Sequence, residues 1–159
     1  MIFITLGSQK FQFNRLLKAV DDLVESKIIN EEIFAQIGYS DYIPKHYLYK
    51  KFLDRNEYMK KINKCDLVIT HGGTGAIIGA IKNGKKVIAI PRLKKFGEHV
   101  DDHQVQIVNQ FNDMNLICGI MDTKNLENAI SEAKEQEYKQ YKSNTNVIIS
   151  SIERYIDDI

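Results

Sequence analysis

Leu67-Val68-Ile69-Thr70-His71-Gly72-Gly73-Thr74-Gly75-Ala76-Ile77-Ile78 is the stretch that decides how this chain is read. A short apolar run bounded by Asp66 ends in a histidine and a glycine-rich turn, and a helical pattern begins at Thr74 or Gly75. That is strand, turn, helix, with the turn stripped of side chains. Such a turn lets backbone N–H groups at a helix N-terminus come close to an anion. Glycine loses more entropy on ordering than any other residue and weakens a helix by up to ~1 kcal/mol. A tight turn needs one glycine or two, so the surplus across His71 to Gly75 predicts close approach by a ligand. Thr74 is expected to cap the helix and to bond a phosphate oxygen. His71 is expected to donate a hydrogen bond to the anion, rather than merely end the strand.

Working outward toward the start of the chain, Ile2 to Leu6 reads as a buried strand ended by Gly7-Ser8. Phe13, Leu16, Leu17, Val20, Leu23 and Val24 recur at helical spacing, with Gln12 or Asn14 near the helix start. Ile33 to Ile37 is a second strand. Tyr39 to Tyr49 is aromatic-rich and irregular, Leu48 to Leu53 holds a short strand, and Asn56 is the expected cap of the next helix. Toward the other end, Ile77, Ile78 and Ile81 face inward from a helix stopped by Gly84. Lys86 to Ile90 is a strand closed by Pro91, and a polar loop runs from Arg92 to Asp101. Val105, Ile107, Val108 and Phe111 mark a helix, and Leu116 to Cys118 the last strand. Thr123 is the expected cap of a helix through Leu126, Ala129, Ile130 and Ala133. Glu132 to Lys142 reads as a solvated face or connector. Asn146 to Ile159 forms a last helix with a wide apolar face.

Strands alternate with helices, and the strands are continuous apolar runs. The fold class is therefore α/β: a Rossmann-like parallel sheet with helices on both faces, one domain over residues 1–159. Ligands in such sheets sit beyond the carboxyl ends of the strands. Three loops fall there: Gly7-Ser8, His71 to Gly75, and Arg92 to Gln104. The first is a plain turn or a point of close ligand approach. In the third, Asp102 accepts hydrogen bonds, Gln104 does both, and His103 does either, a set suited to sugar hydroxyls. The bland alternative is an acidic helix start with two solvated histidines. A metal held by His99, Asp102 and His103 is disfavoured, because the spacing matches no standard ligand set.

Several classes are excluded. A formal net charge of +1 provides no basic field, so nucleic acid is not an expected partner. Lys60-Lys61 and Lys85-Lys86 read as solvated faces. Cys65 and Cys118 lie in or beside apolar runs and lack metal spacing, which fits buried thiols in a reducing compartment. A G-x-G-x-x-G fingerprint, a Gly-Lys-Ser/Thr loop and an Asp-x-Asp pair are all absent. There is no targeting segment and no apolar stretch near the ~20 residues that span a bilayer. The expectation is a cytoplasmic protein that reaches a membrane only through a partner.

His-Gly-Gly-Thr-Gly after Asp-Leu-Val-Ile-Thr, then Val-Ile-Ala-Ile-Pro, then Asp-Asp-His-Gln opening a helix resemble the C-terminal half of GT-B glycosyltransferases. The chain is most similar to the glycosyltransferase family 28 C-terminal domain. Within it, it resembles the short PssE/EpsE-type subunits of bacterial exopolysaccharide and capsule synthesis. These are similar to the small catalytic subunit of the eukaryotic two-subunit UDP-GlcNAc transferase. The resemblance runs from Ile2 to about Leu116. It implies a UDP-sugar donor and no cofactor or metal. Gly7, Ser8, His71, Gly72, Gly73, Thr74 and Gly75 would hold the donor diphosphate, and Asp102, His103 and Gln104 would read the donor sugar. Phe52 and Leu53 fall near where such folds hold the uracil. Relatives often place an acid one turn into the glycine-loop helix to bind ribose; here Ile78 and Gly79 stand there.

The resemblance also implies that a membrane-associated partner supplies the N-terminal GT-B half, with residues 143–159 available to dock it, and that the acceptor is a lipid-linked saccharide. The reaction would add a hexose or N-acetylhexosamine. The acceptor's general base would lie on the partner, with His103 the internal candidate. Lys94 and Lys95 could add positive charge at the mouth. Two other readings stand beside this one. One is a non-catalytic enhancer or scaffold of a separate transferase. The other is a general nucleotide-binding Rossmann protein, against which the missing fingerprint counts.

Overall fold

The computed structural model describes residues 1–157; the last two positions of the predicted terminal helix, 158 and 159, lie outside the described residues. Six strands, β1 (Ile2–Thr5), β2 (Ile33–Gln36), β3 (Leu48–Lys50), β4 (Leu67–His71), β5 (Lys86–Ile90) and β6 (Cys118–Gly119), form one sheet. Its order is β3-β2-β1-β4-β5-β6 and every pairing is parallel. This is the doubly wound Rossmann order, with β1 and β4 adjacent at the point where the winding reverses. Ile2 to Thr5 pair with Leu67 to Thr70, which sets the ends of β1 and β4 side by side.

Among the described residues, α1 (Asn14–Glu25), α2 (Arg55–Lys64), α3 (Thr74–Lys82) and α4 (His103–Asp113) lie between strands, and α5 (Leu126–Glu135) and α6 (Thr145–Asp157) follow the last one. Alternation along the strands sorts the core into two layers. Ile2, Ile4, Leu67, Ile69, Ile88 and Ile90 face α1 and α5, meeting Leu16, Leu17, Val20, Ile130 and Ala133. Phe3, Val68, Val87 and Ala89 face the other way, meeting Ile62, Ile77, Ala80 and Val108 of α2, α3 and α4. Because both faces are covered, the inner strands β1, β4 and β5 need no polar alternation and appear as apolar runs, while the edge strand β3 is exposed.

Local details differ from the sequence expectation. The cap of α2 is Asp54, not Asn56; its carboxylate accepts from the Glu57 N–H at 2.8 Å, and the Glu57 side chain returns the bond to the Asp54 N–H. Thr123 opens a short 3-10 turn, capped by Asp122, before α5 begins at Leu126. The last strand is Cys118–Gly119, while Leu116 and Ile117 are buried ahead of it. The helix α6 buries none of its residues, and Val147, Ile148, Ile152, Tyr155 and Ile156 are exposed. Its apolar face is therefore not spent on the core. No helix among the described residues is long and apolar enough to cross a membrane.

Candidate functional site

The strand β4 ends at His71 and α3 begins at Thr74. Gly73 is the N-cap, with φ −83° and ψ 121°, and no side chain caps the helix. This corrects the expectation for Thr74. A cap residue has an extended backbone and a carbonyl that already accepts the first helical bond, and the Gly73 carbonyl accepts from Ala76 and Ile77, both at 3.1 Å. Thr74 is instead the first helical residue, and its side chain is exposed. The N–H groups of Thr74 and Gly75 sit in the first turn, where no intrahelical acceptor exists. They form an open set of donors at the positive end of the helix dipole.

Most of the glycine surplus has another cause. A Cβ at Gly73 would lie 2.3 Å from His71 Nε2, and one at Gly7 would lie 2.9 Å from His71 Cε1. A Cβ at Gly72 would meet Gln104 Cβ at 2.8 Å and Val108 Cγ2 at 2.9 Å. The imidazole and the start of α4 therefore demand Gly7, Gly72 and Gly73, which corrects the inference that the surplus reflects ligand approach alone. Only Gly75 in this loop faces open space. Gly7 also has φ +71°, a left-handed conformation natural to glycine, and Ser8 beside it is exposed.

His71 is a buried ring rather than a surface donor, with 7 % of it exposed. Burial pushes its pKa down to about 3, the Arg92 guanidinium pushes the same way, and a hydrogen bond with the Thr5 backbone opposes both. At neutral pH it is uncharged. Its ring fills the space beside Gly7 and Gly73.

The loop after β5 is locked by charge. Arg92 is fully buried; Nη2 donates to the Leu6 carbonyl at 2.8 Å and the Phe11 carbonyl at 3.2 Å, and the guanidinium lies 5.6 Å from the Phe13 ring centre. Its Nε and Nη1 meet no acceptor among the described residues. Burial lowers its pKa to about 10, against the opposing charge of Glu98, so it stays cationic at neutral pH. Glu98, also buried, accepts from Arg15 Nε at 2.7 Å and from the Leu93 N–H at 2.9 Å. Sequence reasoning missed Arg92 and Arg15. The available signal was a charged residue directly after an apolar strand and Pro91.

Gln104 joins the two loops. Its Oε1 accepts from the Gly72 N–H at 3.1 Å and the Arg92 N–H at 3.0 Å, and the residue is buried. Asp102 takes the N-cap position of α4, but its carboxylate accepts from the Lys94 N–H at 2.8 Å rather than capping the helix. His103 is exposed, and its Nδ1 is hydrogen-bonded to Asp101, whose carboxyl this bond holds below its ordinary range. With Asp102 turned to Lys94, the trio His99, Asp102 and His103 is not assembled; Asp101 stands between the two histidines. Lys94 and Lys95 are exposed in a short 3-10 turn.

At the opposite edge, Phe52 is exposed and meets Tyr39 edge-on at 5.2 Å, while the Leu53 N–H donates to Gln36 at 3.3 Å. Ile78 and Gly79 are half-buried on α3. A cleft of ≈ 480 Å³ lined by Arg15, Leu93, Phe96, Glu98, Met121 and Lys124 lies beside the charged loop and does not include the glycine loop.

A doubly wound parallel sheet with an uncapped, glycine-cleared helix start at its reversal point is a Rossmann-like α/β domain. Solved structures share this fold. MurG of Acinetobacter baumannii superposes with a TM-score of 0.58 at 18% identity, over 84% of this chain and 41% of that one. The solution structure of ALG13 superposes with a TM-score of 0.58 at 16% identity, over 95% of this chain and 93% of that one. The model of the glycosyltransferase family 28 C-terminal domain matches residues 1–159, and the chain belongs to that family. The UDP-N-acetylglucosamine transferase subunit ALG13 of Candida albicans is 31% identical over 91 residues, 57% of this chain and 29% of that relative. The chain thus matches under a third of that relative's length. It is a transferase domain of the GT-B type.

Proposed function

We propose that this chain is the donor-binding subunit of a two-component glycosyltransferase, taking a UDP-hexose or UDP-N-acetylhexosamine. The observation that carries the reading is the open start of α3, where the Thr74 and Gly75 N–H groups meet no acceptor among the described residues and Gly75 leaves space in front of them. A diphosphate placed there meets backbone donors and the positive end of a helix dipole. The same donors stabilise the charge that develops on UDP as the sugar departs. The buried Arg92 cation adds to the field from beneath. The Thr74 hydroxyl is available to a phosphate oxygen. Asp102 and the Gln104 Nε2 are left to meet donor hydroxyls, and the exposed Tyr39–Phe52 pair offers an aromatic edge for the uracil.

The open space in front of Gly75 leaves room for a second half-domain to close the site. The curated relative is by name a subunit of a UDP-N-acetylglucosamine transferase, which supports a partner here. In this reading the partner is membrane-associated and holds the chain at the inner face of the membrane. It supplies the general base and the lipid-linked saccharide acceptor, and the product feeds exopolysaccharide or capsule synthesis. No cofactor is invoked.

Calorimetric titration of the chain, alone and with its partner, against UDP and a panel of UDP-sugars tests the reading. Saturable binding of UDP and at least one UDP-sugar is expected, and no heat from any of them in either form overturns it. The scaffold alternative predicts that Thr74→Ala and Gly75→Val leave the activity of the reconstituted pair intact; the donor reading predicts a loss of at least tenfold.

A further inference from the structure

His99, Asp101 and His103 are spaced at alternate positions, and each offers a ligand atom such that the three lie within 4.8 Å of one another. His99 is the informative member. Its side chain is 8 % exposed, and its Nδ1 is buried with no hydrogen-bond partner among the described residues. A buried, unpaired ring nitrogen calls for an explanation. That nitrogen faces Asp101 Oδ1 at 3.4 Å, a contact without hydrogen-bond geometry. The ring is held by Phe11, with centroids 4.6 Å apart, and by the His103 ring at 4.7 Å. On the other side, the His103 Nδ1 meets the same carboxylate oxygen, which also accepts the His103 N–H at 3.1 Å.

Two imidazole nitrogens and one carboxylate oxygen are a donor set for zinc-class divalent ions. Tetrahedral ligation with metal–ligand bonds near 2.1 Å puts neighbouring ligand atoms about 3.4 Å apart, which is the His99–Asp101 separation. We propose that His99, Asp101 and His103 form a three-ligand site for a zinc-class divalent cation, with the remaining position open to water. The ion takes the place of the His103–Asp101 hydrogen bond and supplies the partner that His99 Nδ1 lacks. It pins the strap from His99 to Asp102 onto the first turn of α4, directly before Gln104. The assignment does not depend on the donor reading, and its test measures no transfer activity.

The experiment is a titration of the full chain with Co²⁺ as a spectroscopic probe, followed by competition with Zn²⁺. The expected result is a visible d–d band that saturates at one ion per chain and is displaced by Zn²⁺. Asp101→Asn and His103→Gln change exposed side chains and keep the fold, which circular dichroism checks; each is expected to weaken Co²⁺ binding at least tenfold. His46→Gln, at the histidine near Asp21, is expected to leave binding unchanged. Absence of a saturable band overturns the proposal. So does undiminished binding in Asp101→Asn and His103→Gln, or a thiolate charge-transfer band from Cys65 or Cys118.

Discussion

The starts of α2 and α3 solve the same problem in opposite ways. Both helices follow a chain segment at the carboxyl end of a parallel strand, and both leave N–H groups without intrahelical acceptors. At α2 the chain closes the end itself, through reciprocal bonds between Asp54 and Glu57. At α3 it offers no capping side chain, and it clears the approach with glycine. The first end is finished as a local structure and the second is not. The difference teaches that an unfinished helix start matters when its surroundings are over-built, and the surroundings of α3 are. The His71 ring fills the space beside Gly7 and Gly73, Gln104 takes the Gly72 N–H, and Arg92 ties the next loop beneath it.

The strongest way to break the contrast is Gly73→Val. Its Cβ would enter the space of His71 Nε2, and overpacking of this kind costs ~1–3 kcal/mol. Both UDP binding and stability should fall, by calorimetry and thermal unfolding, so the variant tests the platform and the donors together. Acid probes the platform alone. The folded His71 has a pKa near 3, below its ordinary value, so between those limits the unfolded chain binds a proton that the folded chain refuses. Stability from this residue is complete above the ordinary histidine range and is lost as pH falls through that window, by up to about 1.4 kcal/mol per pH unit. Urea unfolding at stepped pH should show a flatter dependence in His71→Leu than in the parent.

A smaller effect sits at the closed end. Asp54→Ala removes the cap of α2 and should cost ~1 kcal/mol, with UDP affinity unchanged because the Asp54 carboxylate is already engaged by the Glu57 N–H. The smallest and sharpest test pairs Gly75→Ala with Gly79→Ala. Both positions face open space on α3, and each substitution should stabilise the chain by ~0.4–1 kcal/mol. Only Gly75→Ala should weaken UDP binding. Equal affinities in the two variants would mean that no ligand approaches Gly75.

The centre of the sheet was legible because β1, β4 and β5 are short apolar runs between turn signals, buried on both faces, whereas the exposed edge strand β3 carries no such pattern. The position of the glycine loop was legible for the same reason. The reason for each glycine was not, since it depends on which side chain arrives from elsewhere: Gly73 answers to His71, and Gly72 to Gln104 and Val108. Asp54-x-x-Glu57 is a capping-box spacing that was open to reading and was passed over for Asn56. Arg92 gave little warning, because a charge after a strand is ordinarily solvated. In the sequence alone, a metal at His99 and His103 is disfavoured on spacing, and the sequence does not show that Asp101 rather than Asp102 stands with the two histidines. For α6, the apolar periodicity revealed a helix, but not that its face would stay uncovered.

The strand order carries a consequence for how the chain is assembled. β1 lies at the centre of the sheet, yet it precedes both of its neighbours in the chain, and its pairing with β4 joins Ile2 to Leu67 and Thr5 to Thr70. Contacts that far apart in sequence are slow to form, because loop closure must be met before they are rewarded. On a ribosome β1 is made before either neighbour and stays unpaired on its β4 edge until Leu67 to Thr70 have been made. A pause in translation before that point would therefore prolong the exposure of Ile2, Phe3 and Ile4, which are fully buried in the finished sheet.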